Sequence, residues 1–299
     1  MKFEHNLENV NIDLEGSIAR HSADECAVYK RVAGEPLYLG YYFPKDYDKK
    51  KKYPLFIFIH GGGWESHQIF ADQKHWQGDY LGYLARYYAD KGMICVSLDY
   101  RCIREQGQIA GYELIDCYED CCDAVDYVLT RAEEYGIDRE TIYLLGESAG
   151  GHLAGAVGTF HYERRYHFKK IFLINAVTDL LDEKWSSRVP RITEHKKLKE
   201  LDMEQRAMFL SPLYQMDVST SPTILLHGGA DTIVSPEHSV KFYRRMCELS
   251  KTCDIHMIKN TDHAFLLAEF TKEIQACKMG ISIIDKYLEK NMKPQRCMA

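Results

Sequence analysis

Short apolar runs recur along the chain, and segments of helix length separate most of them. The strand-like runs lie at 35–44, 53–63, 92–100, 141–147, 169–177, 221–229 and 253–260. The helix-like segments lie at about 75–90, 113–135, 148–161, 236–251 and 265–290. Alternation of this kind predicts an α/β fold, with a mostly parallel sheet and helices on both of its faces. Because sites in such sheets form at the carboxyl ends of the strands, chemistry is expected directly after each apolar run.

Residues 178–213 break this alternation. The segment is charged, contains Trp185, and is longer than a single crossover helix between two strands requires. A compact helical insertion above the strand ends, acting as a lid, would account for it, and so would a plain excursion over the surface. Both interpretations stay open, within a single domain spanning 1–299.

Composition and charge argue against several classes of protein. A formal net charge of −6 gives no positive surface for nucleic acid. No apolar stretch reaches the roughly 18 residues of a transmembrane helix, and the acidic N-terminus does not resemble a signal peptide, so we expect a cytoplasmic protein without membrane contact. The ten cysteines show neither a disulfide framework nor the spacing of a zinc site. We therefore expect no metal and no cofactor.

A glycine-rich loop follows the second apolar run, with the sequence His60-Gly61-Gly62-Gly63-Trp64. Three glycines in succession allow backbone N–H groups to approach a ligand closely. Such donors stabilise the oxyanion of a tetrahedral intermediate. A phosphate site is less well supported, because neither a Lys-Ser/Thr pair nor a Gly-x-Gly-x-x-Gly pattern accompanies the glycines.

Three reactive side chains follow three other apolar runs. Ser148 lies in Gly-Glu-Ser-Ala-Gly (146–150), a match to the Gly-x-Ser-x-Gly turn that presents a nucleophile at the top of a sheet. Asp231 follows in a glycine-containing loop, and His263 lies in a short loop before the last helix. The imidazole would take the serine proton, and the carboxylate would hold the imidazole in the required tautomer.

Some of these assignments have alternatives. Asp179 also follows a predicted strand and could be the acid, although Asp231 is favoured. The N–H of Ala149 would join those of Gly61 and Gly62 in an oxyanion hole. Glu147 is interpreted as a structural partner of neighbouring loops rather than as a proton carrier.

Taken together, the motifs resemble those of the α/β-hydrolase superfamily. They are HGGGW (60–64), SLDYR (97–101), GESAGGHLA (146–154), SP (211–212), LLHGGADTIV (225–234) and DHAF (262–265). The likeness is to the branch with hormone-sensitive-lipase-like and bacterial carbohydrate esterases, of acetyl-xylan or feruloyl type. It implies a mostly parallel eight-stranded sheet with a small helical lid, and a serine nucleophile. One departure is the N-terminus, where only about 25 residues precede the first expected strand rather than a longer helical cap.

The function expected from this resemblance is a carboxylesterase acting on short acyl or aryl esters, such as acetyl or feruloyl groups on small carbohydrates. Trp64, Tyr100 and Trp185 are candidate substrate contacts. Two alternatives remain: an amidase similar to arylformamidase, and a ligand-binding protein on a hydrolase scaffold. The sequence does not indicate the oligomeric state.

Overall fold

The computed structural model describes residues 2–65, 81–105, 108–109, 111–160, 166–263, 265–266 and 274–288. Its strands are β1 (Lys2–His5), β2 (Glu25–Val32), β3 (Glu35–Tyr42), β4 (Tyr53–Ile59), β5 (Ile94–Leu98), β6 (Arg104–Glu105), β7 (Gln108–Ile109), β8 (Ile137–Glu147), β9 (Lys170–Ile174), β10 (Thr223–Gly228) and β11 (Cys253–Ile258). Its helices are α1 (Glu15–Ala19), α2 (Gly82–Asp90), α3 (Leu114–Thr130), α4 (Ala149–Thr159), α5 (Glu183–Ser186), α6 (Met203–Leu210), α7 (Pro212–Gln215), α8 (Glu237–Glu248) and α9 (Ile274–Leu288).

The predicted fold class is confirmed, and the strand count needs a correction. Within the described ranges, the main sheet has nine strands in the order β1-β11-β10-β9-β8-β4-β5-β3-β2, not the expected eight. β3 runs antiparallel to β2 and β5, and the remaining pairs are parallel. The smaller second sheet is the antiparallel pair of β6 and β7.

Two strands that match none of the predicted apolar runs, β1 and β2, form the two edges of the main sheet. β1 has only four residues, and two of them are charged, so it lacks the apolar run that marked the other strands. Pairing with β11 places it in the sheet, where the ring of Phe3 stacks on His256 with centroids 4.8 Å apart. The chain therefore enters the sheet near its first residue, and not after about 25 residues as expected.

Side chains of the central strands alternate between two cores, one on each face of the sheet. In β4, Leu55, Ile57 and Ile59 pack in one core with α3, α4 and α8. Phe56 and Phe58 pack in the other core with α2 and α9. Burial on both faces explains why this strand reads as a continuous apolar run instead of an alternating one.

Within the part of the chain that the structure describes, no helix is both long and apolar enough to cross a membrane. No three His, Cys, Asp or Glu side chains in that part converge as a metal site would require. A cytoplasmic location stays a prediction. The expected helix at 75–90 is described from residue 82 and the one at 265–290 from residue 274; their remaining residues include ones outside the described ranges.

The segment 178–213 contains α5, α6 and the first residues of α7, and one buried arginine organises it. The Arg206 side chain, in a residue only 9% exposed, donates hydrogen bonds to four backbone carbonyls. These belong to Arg191 (2.8 Å), Pro190 (3.0 Å), Leu198 (3.0 Å) and Lys199 (3.4 Å). The segment is thus folded on itself around a guanidinium group. Its function as a lid stays a prediction.

Replacement of this guanidinium should loosen the segment. We expect Arg206→Ala to lower the free energy of unfolding by about 3 kcal/mol, because one buried and three part-buried hydrogen bonds from a charged donor are lost. Thermal unfolding measures the loss, and limited proteolysis should show new cleavage between residues 187 and 202. Arg244→Ala is the matched control, since its ion pair with Glu237 is exposed and should contribute less than about 1 kcal/mol. Equal protease resistance in both variants would contradict the role of Arg206.

Candidate active site

Ser148 occupies a strained turn between β8 and α4. Its backbone has φ of 55° and ψ of −118°, a conformation that typically costs 1–3 kcal/mol outside glycine. Two backbone hydrogen bonds hold the turn: the Ser148 N–H donates to the Ile174 carbonyl at 2.9 Å, and the Ser148 carbonyl accepts from the His152 N–H at 3.0 Å. The serine is 8% exposed, and the sharp turn projects it from the strand end.

The flanking glycines are required by close packing around this turn. A Cβ atom at Gly150 would overlap the carbonyl oxygens of Ile59 and His60 at the end of β4. A Cβ atom at Gly146 would overlap the Gly150 carbonyl. The first turn of α4 therefore lies directly against the point where the glycine-rich loop begins, so two segments far apart in sequence meet at Ser148.

The structure brings Ser148, His263 and Asp231 into one hydrogen-bonded chain. His263 Nε2 lies 2.9 Å from Ser148 Oγ, and His263 Nδ1 lies 2.7 Å from Asp231 Oδ2. Because a carboxylate only accepts, Nδ1 carries the proton and Nε2 accepts from the serine hydroxyl. The chain of contacts leaves the imidazole ready to take the proton of Ser148.

Every oxygen of Asp231 has hydrogen-bond donors. Oδ1 accepts from the backbone N–H groups of Ile233 (2.9 Å) and Val234 (2.8 Å). Oδ2 accepts from His263 and lies 3.2 Å from Nε2 of the fully buried His227. Burial alone would raise the pKa of Asp231, but the hydrogen bonds from His227 and His263 hold it well below its usual value. Asp231 is therefore ionised at neutral pH.

The contacts of His227, a fully buried histidine in β10, support the candidate acid. Its Nδ1 lies 2.8 Å from Ser239 Oγ, and its Nε2 lies 3.0 Å from the Val234 carbonyl. Since that carbonyl and Asp231 only accept, the proton belongs on Nε2. Its position four residues before Asp231 is the sequence signal that could have revealed this support.

The alternative acid, Asp179, lies in a different set of contacts. Its Oδ2 pairs with Lys241 Nζ at 2.7 Å, and its Oδ1 accepts from Tyr214 at 3.2 Å. Asp262, the neighbour of His263, accepts from the backbone N–H groups of Thr232 (2.9 Å) and His263 (2.8 Å). Asp262 thus ties the loop of His263 to the loop of Asp231.

Opposing effects set the pKa of His263. Burial lowers it, whereas the hydrogen bond that His263 donates to Asp231 and the negative charges of Glu147, Asp231 and Asp262 raise it, and the net result is a raised pKa. The neutral imidazole is the form that accepts a proton, so activity should fall as pH decreases through this raised pKa.

The glycine-rich loop has an unusual backbone that its neighbours hold in place. Gly62, Gly63 and Trp64 have φ values of 100°, 64° and 59°, so three successive residues have the positive φ that side chains other than glycine rarely adopt. His60 Nδ1 lies 2.8 Å from the Gly61 carbonyl, and the Tyr100 hydroxyl donates to the same carbonyl at 3.1 Å. The trans peptide then directs the Gly62 N–H away from those two rings.

Oxyanion stabilisation by Gly61, Gly62 and Ala149 stays a prediction. Ala149 is the first residue of α4, where N–H groups lie outside the hydrogen-bond ladder of the helix. The close packing at Gly150 brings that helix end to the start of the glycine-rich loop. The three predicted donors therefore belong to segments that meet at the serine.

The candidate substrate contacts are all buried side chains. Trp64 and Tyr100 have no exposed surface, and Trp185 is 8% exposed. The Tyr100 hydroxyl donates to the carbonyls of His60 and Gly61, so it braces the loop. Trp64 meets Trp185 edge to face with centroids 5.8 Å apart. Substrate contact by these residues stays a prediction.

A serine on a strained strand-to-helix turn, followed along the chain by an aspartate and then a histidine, is characteristic of α/β-hydrolases, and the sheet is that of their fold. The resemblance seen in the sequence is therefore confirmed. The chain belongs to the BD-FAE family, whose model matches residues 39–246.

Proteins described as probable esterases are similar to this chain over different parts of its length. A probable isoprenylcysteine alpha-carbonyl methylesterase of Arabidopsis thaliana is 25% identical over 77% of this chain and 55% of its own length. A rice protein with the corresponding description is 36% identical over 39% of this chain and 24% of its own. The chain thus spans from about a quarter to about half of these curated relatives.

Solved structures cover more of the chain. Esterase 2 of Thermogutta terrifontis superposes with a TM-score of 0.71 at 24% identity, covering 91% of this chain and 94% of the other. Its butyrate-bound form gives a TM-score of 0.71 at 25% identity, covering 89% and 93%. These similarities place the fold among α/β-hydrolase esterases.

The two candidate acids can be separated by matched substitutions. Asp231→Asn should lower kcat for an ester substrate by about 10³–10⁴-fold, because an amide in this position favours the wrong imidazole tautomer. Asp179→Asn should leave kcat within about tenfold, since its contacts are with Lys241 and Tyr214. Steady-state kinetics on both purified variants provide the measurement. A larger loss in Asp179→Asn would reverse the assignment.

Proposed function

We propose that the protein is a serine ester hydrolase with Ser148 as nucleophile, His263 as base and Asp231 as acid. The observation that carries this proposal is the continuous hydrogen-bonded chain from Ser148 through His263 to Asp231. A hydroxyl is a weak nucleophile at neutral pH, and an imidazole already within hydrogen-bond distance removes that obstacle.

Acylation would begin when Ser148 Oγ attacks the ester carbonyl carbon and its proton passes to His263 Nε2. The carbonyl oxygen becomes an oxyanion, which the N–H groups of Gly61, Gly62 and Ala149 would stabilise. Asp231 holds Nδ1–H and offsets the positive charge that develops on the ring. Nε2–H then protonates the departing alkoxide, leaving an acyl group on Ser148.

Deacylation repeats these steps with water. His263 takes a proton from a water molecule, whose oxygen attacks the acyl carbon. The second tetrahedral intermediate collapses, and the proton returns to Ser148 Oγ as the carboxylic acid leaves. The active site is then regenerated without any other proton donor or acceptor.

The proposed substrates are short acyl or aryl esters, including acetyl or feruloyl groups on small carbohydrates. Esterase 2 of Thermogutta terrifontis, similar over nearly the whole chain, has been solved with butyrate bound, which supports a short acyl group. The plant relatives are described as methylesterases, so their leaving group is small. Trp185, which is 8% exposed and packs edge to face on Trp64, is the candidate aromatic contact for an aryl or sugar ring.

We also propose that residues 178–213 enclose the substrate. Arg188 forms an ion pair with Glu65, directly after the glycine-rich loop. Lys184 Nζ donates to the Thr232 carbonyl, next to Asp231, at 3.1 Å. The segment is therefore attached to both the oxyanion side and the acid side of the site, as a lid would be.

Covalent labelling tests the nucleophile. Wild-type protein should react with a fluorophosphonate probe at Ser148, and Ser148→Ala should abolish both labelling and hydrolysis of para-nitrophenyl acetate. The nearby Ser186→Ala is the control and should keep both. Full hydrolysis by Ser148→Ala would contradict the mechanism, and absence of labelling in wild type would favour a ligand-binding protein instead.

A substrate panel tests the acyl and alcohol groups. We expect kcat/KM for para-nitrophenyl esters to be highest with two to four acyl carbons and to fall by about tenfold or more at eight. Acetylated xylo-oligosaccharides and methyl ferulate test the carbohydrate and aryl esters, with released acid as the readout. Turnover of N-formylkynurenine comparable to that of the best ester would favour the arylformamidase alternative.

A further inference from the structure

Glu147 is a buried carboxylic acid directly beside the nucleophile. It is the last residue of β8 and precedes Ser148, and only 1% of its surface is exposed. Its Oε1 lies 3.7 Å from His263 Nε2, the nitrogen that also contacts Ser148 Oγ at 2.9 Å. A buried carboxylate this close to Nε2 acts strongly on the charge of the imidazole, because little water lies between them to screen it.

The imidazole of His263 lies between two carboxylic acids on opposite sides of its ring. Asp231 contacts Nδ1 at 2.7 Å, and Glu147 lies near Nε2. Asp231 orients the ring through a direct hydrogen bond. Glu147 is too distant for one, and at this separation it acts on the ring through its charge.

We propose that Glu147 is a positioning residue that stabilises the protonated imidazole of His263 during ester hydrolysis. The inference rests on the proposed function, because it assigns a role in the same reaction. The interaction is weak in the resting enzyme, because the imidazole is then neutral and its Nε2 lone pair accepts from the Ser148 hydroxyl. It becomes attractive when the proton of Ser148 arrives on Nε2.

A contact that strengthens as the transition state forms stabilises the transition state more than the bound substrate, and so it lowers the activation barrier. Removal of the Glu147 charge should therefore reduce kcat more than it raises KM. The position of Glu147 on the rigid strand β8, next to Ser148, keeps the carboxylate fixed while the imidazole changes charge. Burial increases the effect, because water screens the pair less than it would at the surface.

Other titratable groups near the His263 ring are Asp231, Asp262 and His227. Asp231 bonds to Nδ1, and Asp262 accepts from Thr232 and from the His263 backbone. The Nε2–H of His227 points to the Asp231 carboxylate, with Nε2 3.2 Å from Oδ2. Among the charges that raise the pKa of His263, that of Glu147 is the one on the side of the reacting proton.

The first test measures the imidazole itself and does not require activity. NMR titration of the His263 ring, assigned by its loss in His263→Gln, is carried out on wild type and on Glu147→Gln. The variant should show a lower His263 pKa, because it removes a negative charge beside Nε2. Glu133→Gln, a matched change at an exposed surface carboxylate, should leave the titration unchanged.

The second test is the pH dependence of para-nitrophenyl acetate hydrolysis. In Glu147→Gln the acid limb of kcat/KM should move to lower pH, kcat on the plateau should fall by about tenfold, and KM should change less than about twofold. Glu147→Asp keeps the charge but withdraws it by one methylene group. Its acid limb should therefore lie between those of wild type and Glu147→Gln.

The outcomes distinguish this inference from the proposed function. An unchanged His263 titration in Glu147→Gln overturns the inference, even if kcat and thermal stability fall, because that pattern reports a structural role. A lower His263 pKa in Glu147→Gln, together with an acid limb of kcat/KM at lower pH, supports the inference. If Glu147→Gln lowers the His263 pKa but the wild-type protein hydrolyses no ester, the proposed function is overturned, and with it the catalytic part of the inference. If Glu147→Gln does not fold, an unchanged titration in Glu147→Asp overturns the inference equally.

Discussion

The close contact between Gly150 and the end of β4 is the constraint on which the site depends. Only a residue without a Cβ atom allows the first turn of α4 to pack against the carbonyls of Ile59 and His60. That packing forces the strained turn at Ser148 and places the glycine-rich loop beside it. The buried core on both faces of the sheet supplies the stability that offsets the local strain.

The electrostatics of the site follow from where each carboxylate obtains its hydrogen bonds. Asp231 accepts from two backbone N–H groups and two imidazoles, so it stays ionised although it is buried. Glu147 lies against the same imidazole from the serine side. In the proposed mechanism two negative groups would therefore stabilise the positive charge on His263, one by a direct hydrogen bond and one through space.

Residues 178–213 join parts of the site that are otherwise separate. Arg206 folds the segment around its guanidinium, and Arg188 and Lys184 attach it near the glycine-rich loop and the acid loop. Shape and depth of the substrate pocket then depend on contacts between side chains from several loops. Such contacts have no periodic pattern, so the sequence indicated an insertion without indicating its fold.

The sequence by itself determined the α/β class and indicated Ser148, Asp231 and His263 as candidate site residues, with Asp179 as an alternative acid, because each buried strand is a continuous apolar run and each of these side chains follows one. It did not reveal β1, whose short polar sequence becomes a strand only through its pairing with β11. The tertiary structure alone decided between Asp231 and Asp179 as partner of His263, and brought Glu147 and His227 to the site. These contacts join side chains that follow different strands. Their distances depend on how the strands pair in the sheet, and the spacing of residues along the chain does not give that.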